Sequence, residues 1–480
     1  MHKMQQSVHL LTHLRAIVGD AGIVGEGDLA LHENGARYGA GKAHLVVRPA
    51  TVEEVSEVVK TCIAHHVPLI AQGANTGLVG ASTPDASGHQ VVLSLTRLRQ
   101  PMALDAGNRS VDAGAGLRLH ELNDFLSEDG FWFPIDLSAD PTIGGMVAAN
   151  TGGTRLIRYG DVRHNVLALE IVLFNPPGQI VRLGRALRKD NTGPDLKHLF
   201  IGTADSFGIV VGATLQVHHK PVQTATALVI PVSSAAVNIL LSEMERQFGD
   251  WLAAFEGMSG NALDAAIAHI PDLRNPFHPE ILPEFAILVK LETCLPIGRT
   301  GKALQEMLDD FLEEQFGFSI MNAAVGKRAA LWSLRHGLSE GAKALGPIIA
   351  FDVSVPRSSI MHFRELAIAL VSRYYPWLRP VDFGHIADGG LHFNVVWPRD
   401  SGTPYDAETV SHLRDAIYAL AVEQFGGSFS AEHGVGPHNA TFCQRYTNPL
   451  NKSWCGALKF LFDPEKLGGR VDFGPGIFST

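Results

Sequence analysis

The run Pro68-Leu69-Ile70-Ala71-Gln72 reads as a strand that passes straight into a loop of small residues, Gly73-Ala74-Asn75-Thr76-Gly77-Leu78-Val79-Gly80-Ala81-Ser82. Such a loop lets backbone N–H groups come close to a phosphate, because glycine permits positive φ and has no Cβ to block the approach. Two familiar phosphate-binding arrangements are excluded: no Gly-x-Gly-x-x-Gly opens a helix here, and the P-loop lysine is missing. A second cluster, Thr142-Ile143-Gly144-Gly145-Met146-Val147-Ala148-Ala149-Asn150-Thr151-Gly152-Gly153, and a third, Ile201-Gly202-Thr203-Ala204-Asp205-Ser206-Phe207-Gly208-Ile209, follow in the same half of the chain. Each alone reads better as glycines that turn the chain. Three in one domain point to a long ligand held along its backbone-facing edge.

A chain of 480 residues, 46% hydrophobic and 18% charged, can bury more than one core, so two domains are expected. Over residues 45–221 short β-rich runs such as Leu45-Val46-Val47, Val91-Val92-Leu93-Ser94-Leu95 and Leu169-Glu170-Ile171-Val172-Leu173-Phe174 alternate with helices such as 51–65. Thr51 is the N-cap of that helix, with Glu54 completing a capping box. The pattern restarts after Lys220-Pro221, with strands at 225–231, 285–292 and 348–356 and helices at 233–247, 300–316 and 358–374. That alternation predicts an α+β domain on an antiparallel sheet.

The second half carries the residues with the most chemistry. Gly384-His385-Ile386-Ala387-Asp388-Gly389-Gly390-Leu391-His392-Phe393-Asn394 reads as a β-hairpin turning at Asp388-Gly389. A loop over residues 387–390 sets His385 opposite His392, with Cβ atoms roughly 4.5–5.5 Å apart, close enough for both imidazoles to reach one ion. Asn394 falls on the same face. Glu432, in Ala431-Glu432-His433-Gly434-Val435-Gly436, completes a His/His/carboxylate set suited to Zn²⁺, Mn²⁺ or Fe²⁺, and His433 is then placed to take a proton. The competing reading is ordinary surface or core histidines, since the chain has 22 of them.

In order and spacing these segments resemble the vanillyl-alcohol-oxidase type of flavoprotein, and within it the D-2-hydroxy acid dehydrogenases that act on D-lactate, glycolate or D-2-hydroxyglutarate. The resemblance runs through the three loops, Pro134-Ile135-Asp136, Arg158-Tyr159-Gly160, Trp332-Ser333-Leu334-Arg335, Asp352-Val353-Ser354-Val355-Pro356, both histidine segments and Leu458-Lys459-Phe460-Leu461-Phe462-Asp463-Pro464. It implies an α+β two-domain flavoprotein: an FAD-binding domain at 1–221 (core about 40–221), a substrate and metal-binding cap at 222–452, and a segment, 453–480, that returns to the first domain. FAD is expected against Gln72, Gly73, Ala74, Asn75, Thr76, Gly77, Gly80, Ala81, Ser82, Pro134, Asp136, Thr142, Gly144, Gly145, Ala149, Asn150, Gly153, Tyr159, Gly202, Gly208 and Ile209. His385, His392 and Glu432 are expected to hold Zn²⁺ or Mn²⁺. Arg335, Ser339 and Asn394 are expected to hold the substrate, with Arg335 as carboxylate clamp and His433 as general base.

Several positions depart from the family pattern. The third loop, usually Gly-Ser-Glu-Gly, reads Gly202-Thr203-Ala204-Asp205, which brings an acidic side chain toward the expected flavin. The hairpin's usual Gly-Asp-Gly-Asn is Ala387-Asp388-Gly389-Gly390, Asn439 stands for a Lys, and Leu467-Gly468-Gly469-Arg470 replaces Asn-Pro-Gly-Lys. Ala350 replaces the Lys carried by members that handle 2-hydroxyglutarate. An O₂-using alcohol oxidase of the same fold and a non-catalytic flavin-binding homologue are the alternatives. The net charge of −10 argues against nucleic acid as the partner. No apolar run of about 18 residues predicts a membrane span. Four cysteines without a C-x-x-C pairing fit a cytoplasmic setting, with peripheral membrane association left open. The electron acceptor stays open among a quinone, a cytochrome and an electron-transfer flavoprotein, as does a homodimer.

Overall fold

Parallel strands need a long crossover, and the first one supplies it as a helix. In the computed structural model, which describes residues 2–326 and 328–474, Gln90–Ser94 pairs in parallel with both Ala43–Val47 and Leu69–Gln72. Helix Val52–Ala64 connects the outer two and buries Val55, Val58, Val59 and Cys62 against Leu10 and Leu14 of helix His2–Val18. Thr51 caps it as expected, its hydroxyl accepting the Glu54 N–H at 3.2 Å. Glu54 reaches back to the Ala50 N–H, one residue earlier than a standard capping box would use.

A second sheet of five antiparallel strands runs in the order Met102–Asp105, Ser110–Gly114, Ile209–Gln216, Val166–Val172, Ile180–Gly184. Helices Leu119–Ser127 and Ile143–Ala149 contribute to its core through Leu122, Leu126, Met146 and Val147, with Phe133 between them in sequence.

Two units divide the chain. Residues 2–152, 161–219 and 432–474 form one, and residues 153–160 and 220–431 the other. The return to the first unit therefore begins at Glu432, earlier than the expected residue 453. His438 explains this, since its N–H donates to the Val79 carbonyl at 3.1 Å and its ring stacks on Tyr38 at 3.4 Å between centroids. Met1 and residues 475–480, which the expected end segments include, lie outside the described residues. Further along, helix Pro449–Phe462 is anchored by Lys459, whose buried ammonium donates to the Ser206 carbonyl (2.8 Å), the Gly468 carbonyl (2.5 Å) and the Asp463 carboxylate (2.7 Å).

The second unit is built on a seven-stranded antiparallel sheet. Its order is Ile320–Val325, Gln223–Pro231, Phe285–Thr293, Leu252–Ser259, Phe383–Gly384, Gly390–His392, Asp352–Ser354. Helices Gly260–His269 and Arg328–Leu345 share a core with it through Ala262, Ala266, Trp332 and Leu338. The expected strand at 348–356 is broken: Ile348–Ile349 joins a small three-stranded sheet and Asp352–Ser354 the large one, with buried Ala350 and Phe351 between them. The expected helix at 300–316 starts at Leu304, because Gly301, at φ +80°, ends a separate turn, Ile297–Thr300. No helix among the described residues is long and apolar enough to cross a membrane.

Replacing Lys459 with Met leaves the Asp463 carboxylate buried beside no ammonium. The variant is expected to lose on the order of 3 kcal/mol of stability, read as a lowered denaturant midpoint; an unchanged midpoint would show that the network does not anchor the helix.

Candidate active site

In the first unit the three small-residue loops meet. A Cβ on Gly73 would lie 2.1 Å from the Thr142 hydroxyl, so only glycine lets the first loop touch the start of helix Ile143–Ala149. That helix carries the third loop on its end: Val147 and Ala148 carbonyls accept the N–H groups of Gly202 (3.0 Å) and Ala204 (2.9 Å). Gln72 and Asn75 brace the first loop. Gln72 donates to the carbonyls of His32 (3.0 Å) and Ser82 (2.8 Å), and Asn75, itself at φ +56°, donates to the Asn34 carbonyl and accepts from the Ser82 hydroxyl at 3.0 Å. Among the described residues no hydrogen bond is made by the backbone N–H groups of residues 73–78. A Cβ at Gly77 would meet only the Ser82 hydroxyl, at 4.0 Å. This is a cradle with donors still to satisfy, and it fits a diphosphate.

Other residues expected at the flavin make contacts of their own. Gly144 and Gly208 serve packing: a Cβ would come within 2.7 Å of Ala115 at the first and 2.8 Å of Ile171 at the second. Gly153 and Tyr159 belong to the second unit, where the Tyr159 hydroxyl donates to Glu292 at 3.0 Å. Burial, then the Glu292 charge, drive the pKa of that phenol well up. Asn150 ends its helix in the left-handed region at φ 52° and bonds Asp161 and the Arg163 N–H. Pro134, buried, and Asp136, half-buried, sit in the irregular stretch before the helix.

Asp205 does not do what the sequence suggests. Its carboxylate turns inward and accepts the Val210 N–H at 3.0 Å, and burial pushes its pKa up to about 7. It closes its own loop, with Ala204 and Asp205 both at positive φ.

In the second unit the hairpin register differs from the expected one. Phe383, not His385, lies opposite His392, and the connection includes a 3₁₀ turn, Ile386–Asp388, that ends at Gly389 with φ +87°. His385 nonetheless stays beside His392, with ring centroids 5.4 Å apart, because its position is set by another partner. That partner is Glu256, 1% exposed in the middle of strand Leu252–Ser259. Gly257 pairs with Gly384, which brings His385 Nδ1 to 2.7 Å from Glu256 Oε1. Arg335 Nε and Nη2 both lie 2.8 Å from Glu256 Oε2, and the guanidinium packs over Phe383 at 4.9 Å.

Burial drives the Glu256 pKa up, but the charges of His385 and then Arg335 outweigh it and hold it down at about 2. An ionised carboxylate only accepts, so His385 Nδ1 carries the proton in this contact. Ser339 is one helical turn beyond Arg335. His392 Nδ1 lies 3.7 Å from Asp352 Oδ1, and Asn394 is buried, with its carbonyl bonded to the Val381 N–H. The Ala431 N–H donates to the Asp352 carbonyl at 3.1 Å, and Glu432 and His433 follow at once in the chain. His433 Nε2 and Glu432 Oε1 are 3.9 Å apart. Glu256 and Asp352 were not among the expected site residues. For Glu256 the available signal was a lone carboxylate in the apolar run Leu252-Ala253-Ala254-Phe255-Glu256-Gly257-Met258.

A diphosphate cradle in one unit and an Arg/Glu/His network in the other define a two-domain flavin-dependent oxidoreductase, and comparison with known proteins agrees. The family model of the FAD binding domain matches residues 43–184, and that of the C-terminal domain of FAD linked oxidases matches residues 220–467. The chain belongs to the FAD-linked oxidases, in the vanillyl-alcohol-oxidase-type family of D-2-hydroxy acid dehydrogenases. Among its relatives are the D-2-hydroxyglutarate dehydrogenases of Xanthomonas citri pv. viticola (31% identical, covering 88% of this chain and 87% of the relative) and of Arabidopsis thaliana mitochondria (31%, 89% and 74%). A D-2-hydroxyglutarate–pyruvate transhydrogenase of Saccharomyces cerevisiae is 28% identical (89% and 86%). Among solved structures, p-cresol methylhydroxylase matches with TM-score 0.75 at 17% identity over 99% of this chain and 98% of that one. Alkyldihydroxyacetonephosphate synthase gives 0.71 at 16% over 96% and 85%. At such identities the likeness is one of fold.

Gly77→Asp places a carboxylate among the unsatisfied N–H groups, so this variant is expected to purify without FAD; a full flavin complement would remove the loop from the site. Asp205 gives a pH dependence. Its folded pKa lies above the ordinary value, so the fold favours the protonated form, and stability falls as pH rises from about 4 to about 7. Asp205→Asn keeps an acceptor for Val210 and suits positive φ. It is expected to be more stable than the parent at pH 8, by roughly 2–4 kcal/mol, and equal to it near pH 4. Parallel stability curves at all pH values would contradict this.

Proposed function

We propose that this protein oxidises a D-2-hydroxy acid to the 2-oxo acid. The observation that carries the reading is the buried Glu256 carboxylate fixing Arg335 and His385 beside His392, in a chain that shares 31% identity with D-2-hydroxyglutarate dehydrogenases. FAD, held by the cradle of residues 73–82 and the loops after Thr142 and Gly202, supplies the acceptor for the hydride leaving C2. Arg335 binds the substrate carboxylate through the guanidinium edge that Glu256 does not take, with Ser339 and Asn394 as further polar contacts. His433 takes the hydroxyl proton as the C2–H bonding pair departs and the C=O bond forms.

His385, His392 and Glu432 are the proposed holders of a divalent ion, Zn²⁺ or Mn²⁺, with Asp352 as an additional donor. Imidazoles combined with carboxylates are a donor set that suits either ion. A cation of this kind lowers the pKa of a hydroxyl it binds. The acceptor that reoxidises the flavin is a quinone, a cytochrome, an electron-transfer flavoprotein or, given the yeast relative's name, a 2-oxo acid. The cysteines Cys62, Cys294, Cys443 and Cys455 take part in no disulfide, which suits the cytoplasm proposed as its setting.

The test is anaerobic bleaching of the bound flavin by a panel of D-2-hydroxy acids that includes D-lactate and D-2-hydroxyglutarate, the second carboxylate of the latter lacking a Lys at Ala350. Bleaching by a panel member supports the reading. Bleaching followed by rapid recolouring in air makes the protein an oxidase, and no bleaching by any acid makes it a non-catalytic homologue. Within a reactive pair, His433→Ala is expected to slow reduction by on the order of a hundredfold with little change in substrate Kd. Arg335→Ala is expected chiefly to weaken binding. A wild-type reduction rate in the His433 variant would move the base elsewhere.

A further inference from the structure

Three histidines outside the site stand in a row on the surface of the first unit. His9 and His13 are four residues apart on helix His2–Val18, so they sit one above the other on a single helix face. Their ring centroids are 5.8 Å apart. His65, the C-cap of helix Val52–Ala64, brings a third ring to 5.5 Å from that of His13, with His65 Nε2 at 3.4 Å from His13 Nδ1. We propose that His9, His13 and His65 form a second metal site, for a borderline divalent cation of the Zn²⁺, Ni²⁺ or Cu²⁺ type, that ties the first helix to the end of the second.

The chemistry selects that class. Imidazole nitrogens favour Zn²⁺, Ni²⁺ and Cu²⁺ over Mg²⁺ or Ca²⁺, which take oxygen ligands. A helical His pair at i and i+4 is a bidentate arrangement found in zinc sites. His9 and His13 are exposed and His65 is half-buried, so turning the rings about their side-chain torsions to converge on one ion costs little. The electrostatics also favour a dication. His65 stands at the C-terminal end of a 13-residue helix, where the aligned peptide dipoles leave partial negative charge. Next to it, Glu465 holds His66 at 2.7 Å, so an acidic group already lies beside the cluster.

Occupancy has a structural consequence. The two helices share the core built by Leu10, Leu14, Val55, Val58 and Cys62, and an ion ligated from both resists their separation, so that binding stabilises the fold by linkage.

The experiment uses the full-length, untagged holoprotein with its flavin and any tightly held metal in place, titrated calorimetrically with Ni²⁺ alone. The expected result is one additional equivalent bound with a Kd on the order of 1–100 µM, and a melting temperature raised by several degrees at millimolar Ni²⁺. His13→Gln and, separately, His65→Gln are expected to weaken binding at least tenfold and to abolish the thermal shift. His89→Gln, at a histidine away from the cluster, is expected to leave both unchanged. Absence of the additional equivalent, or its survival at full affinity in His13→Gln and His65→Gln, would overturn the proposal. Flavin bleaching by substrate plays no part in the readout, so the outcome is independent of the proposed oxidation.

Discussion

The second unit depends on one carboxylate. Glu256 is almost wholly buried, and a buried carboxylate without partners would take up a proton or unfold its surroundings. Here it is ionised because a guanidinium and an imidazole share its two oxygens, one on each. The dependence is mutual. Arg335 and His385 come from a helix and a strand connection far apart in sequence, and the shared carboxylate fixes the direction of both side chains. The Arg proposed to bind substrate and the His proposed to hold a metal are thereby oriented by one buried group, which need not itself touch substrate or ion.

The first unit solves a different problem by different means. Its cradle is made of backbone, so the constraint falls on the residues that permit close approach and on those that hold the loop ends. Gly73 permits contact with Thr142, while Gln72, Asn75 and Ser82 tie the loop to itself and to residues 32–34. Side-chain amides bonded to backbone carbonyls fix the loop, and the N–H groups of residues 73–78 are left to a ligand. The inward turn of Asp205 follows the same economy of charge: an acidic group aimed into such a cradle would repel a diphosphate, and instead it closes the turn before strand Ile209–Gln216.

What could be read from sequence was what is local. The Thr51 cap, the strand running into Gly73 and the restart of strands after Pro221 follow from neighbouring residues, and the structure has each of them. The hairpin failed by register because Asp388-Gly389 was read as the two-residue turn of a tight hairpin, whereas a 3₁₀ turn takes up the extra residues and shifts Phe383 opposite His392. The break at Ala350 and Phe351 was hidden because both halves of 348–356 are apolar enough to read as one strand. Glu256 was out of reach for a different reason: its partners are 79 and 129 residues away, and no periodicity links them. The third loop shows the limit from the other side, since composition placed an acidic residue there and only the backbone conformation shows which way it points.

The measurement that bears most directly on the central role of Glu256 is the combined metal content and substrate affinity of Glu256→Gln in FAD-loaded protein. A neutral amide of the same size removes the charge that holds Arg335 and His385 while sparing the cradle in the other unit. Weakened retention of divalent metal together with at least a tenfold loss of substrate affinity, at unchanged flavin content, is the predicted result. Metal content and substrate affinity both equal to those of the parent would contradict the account.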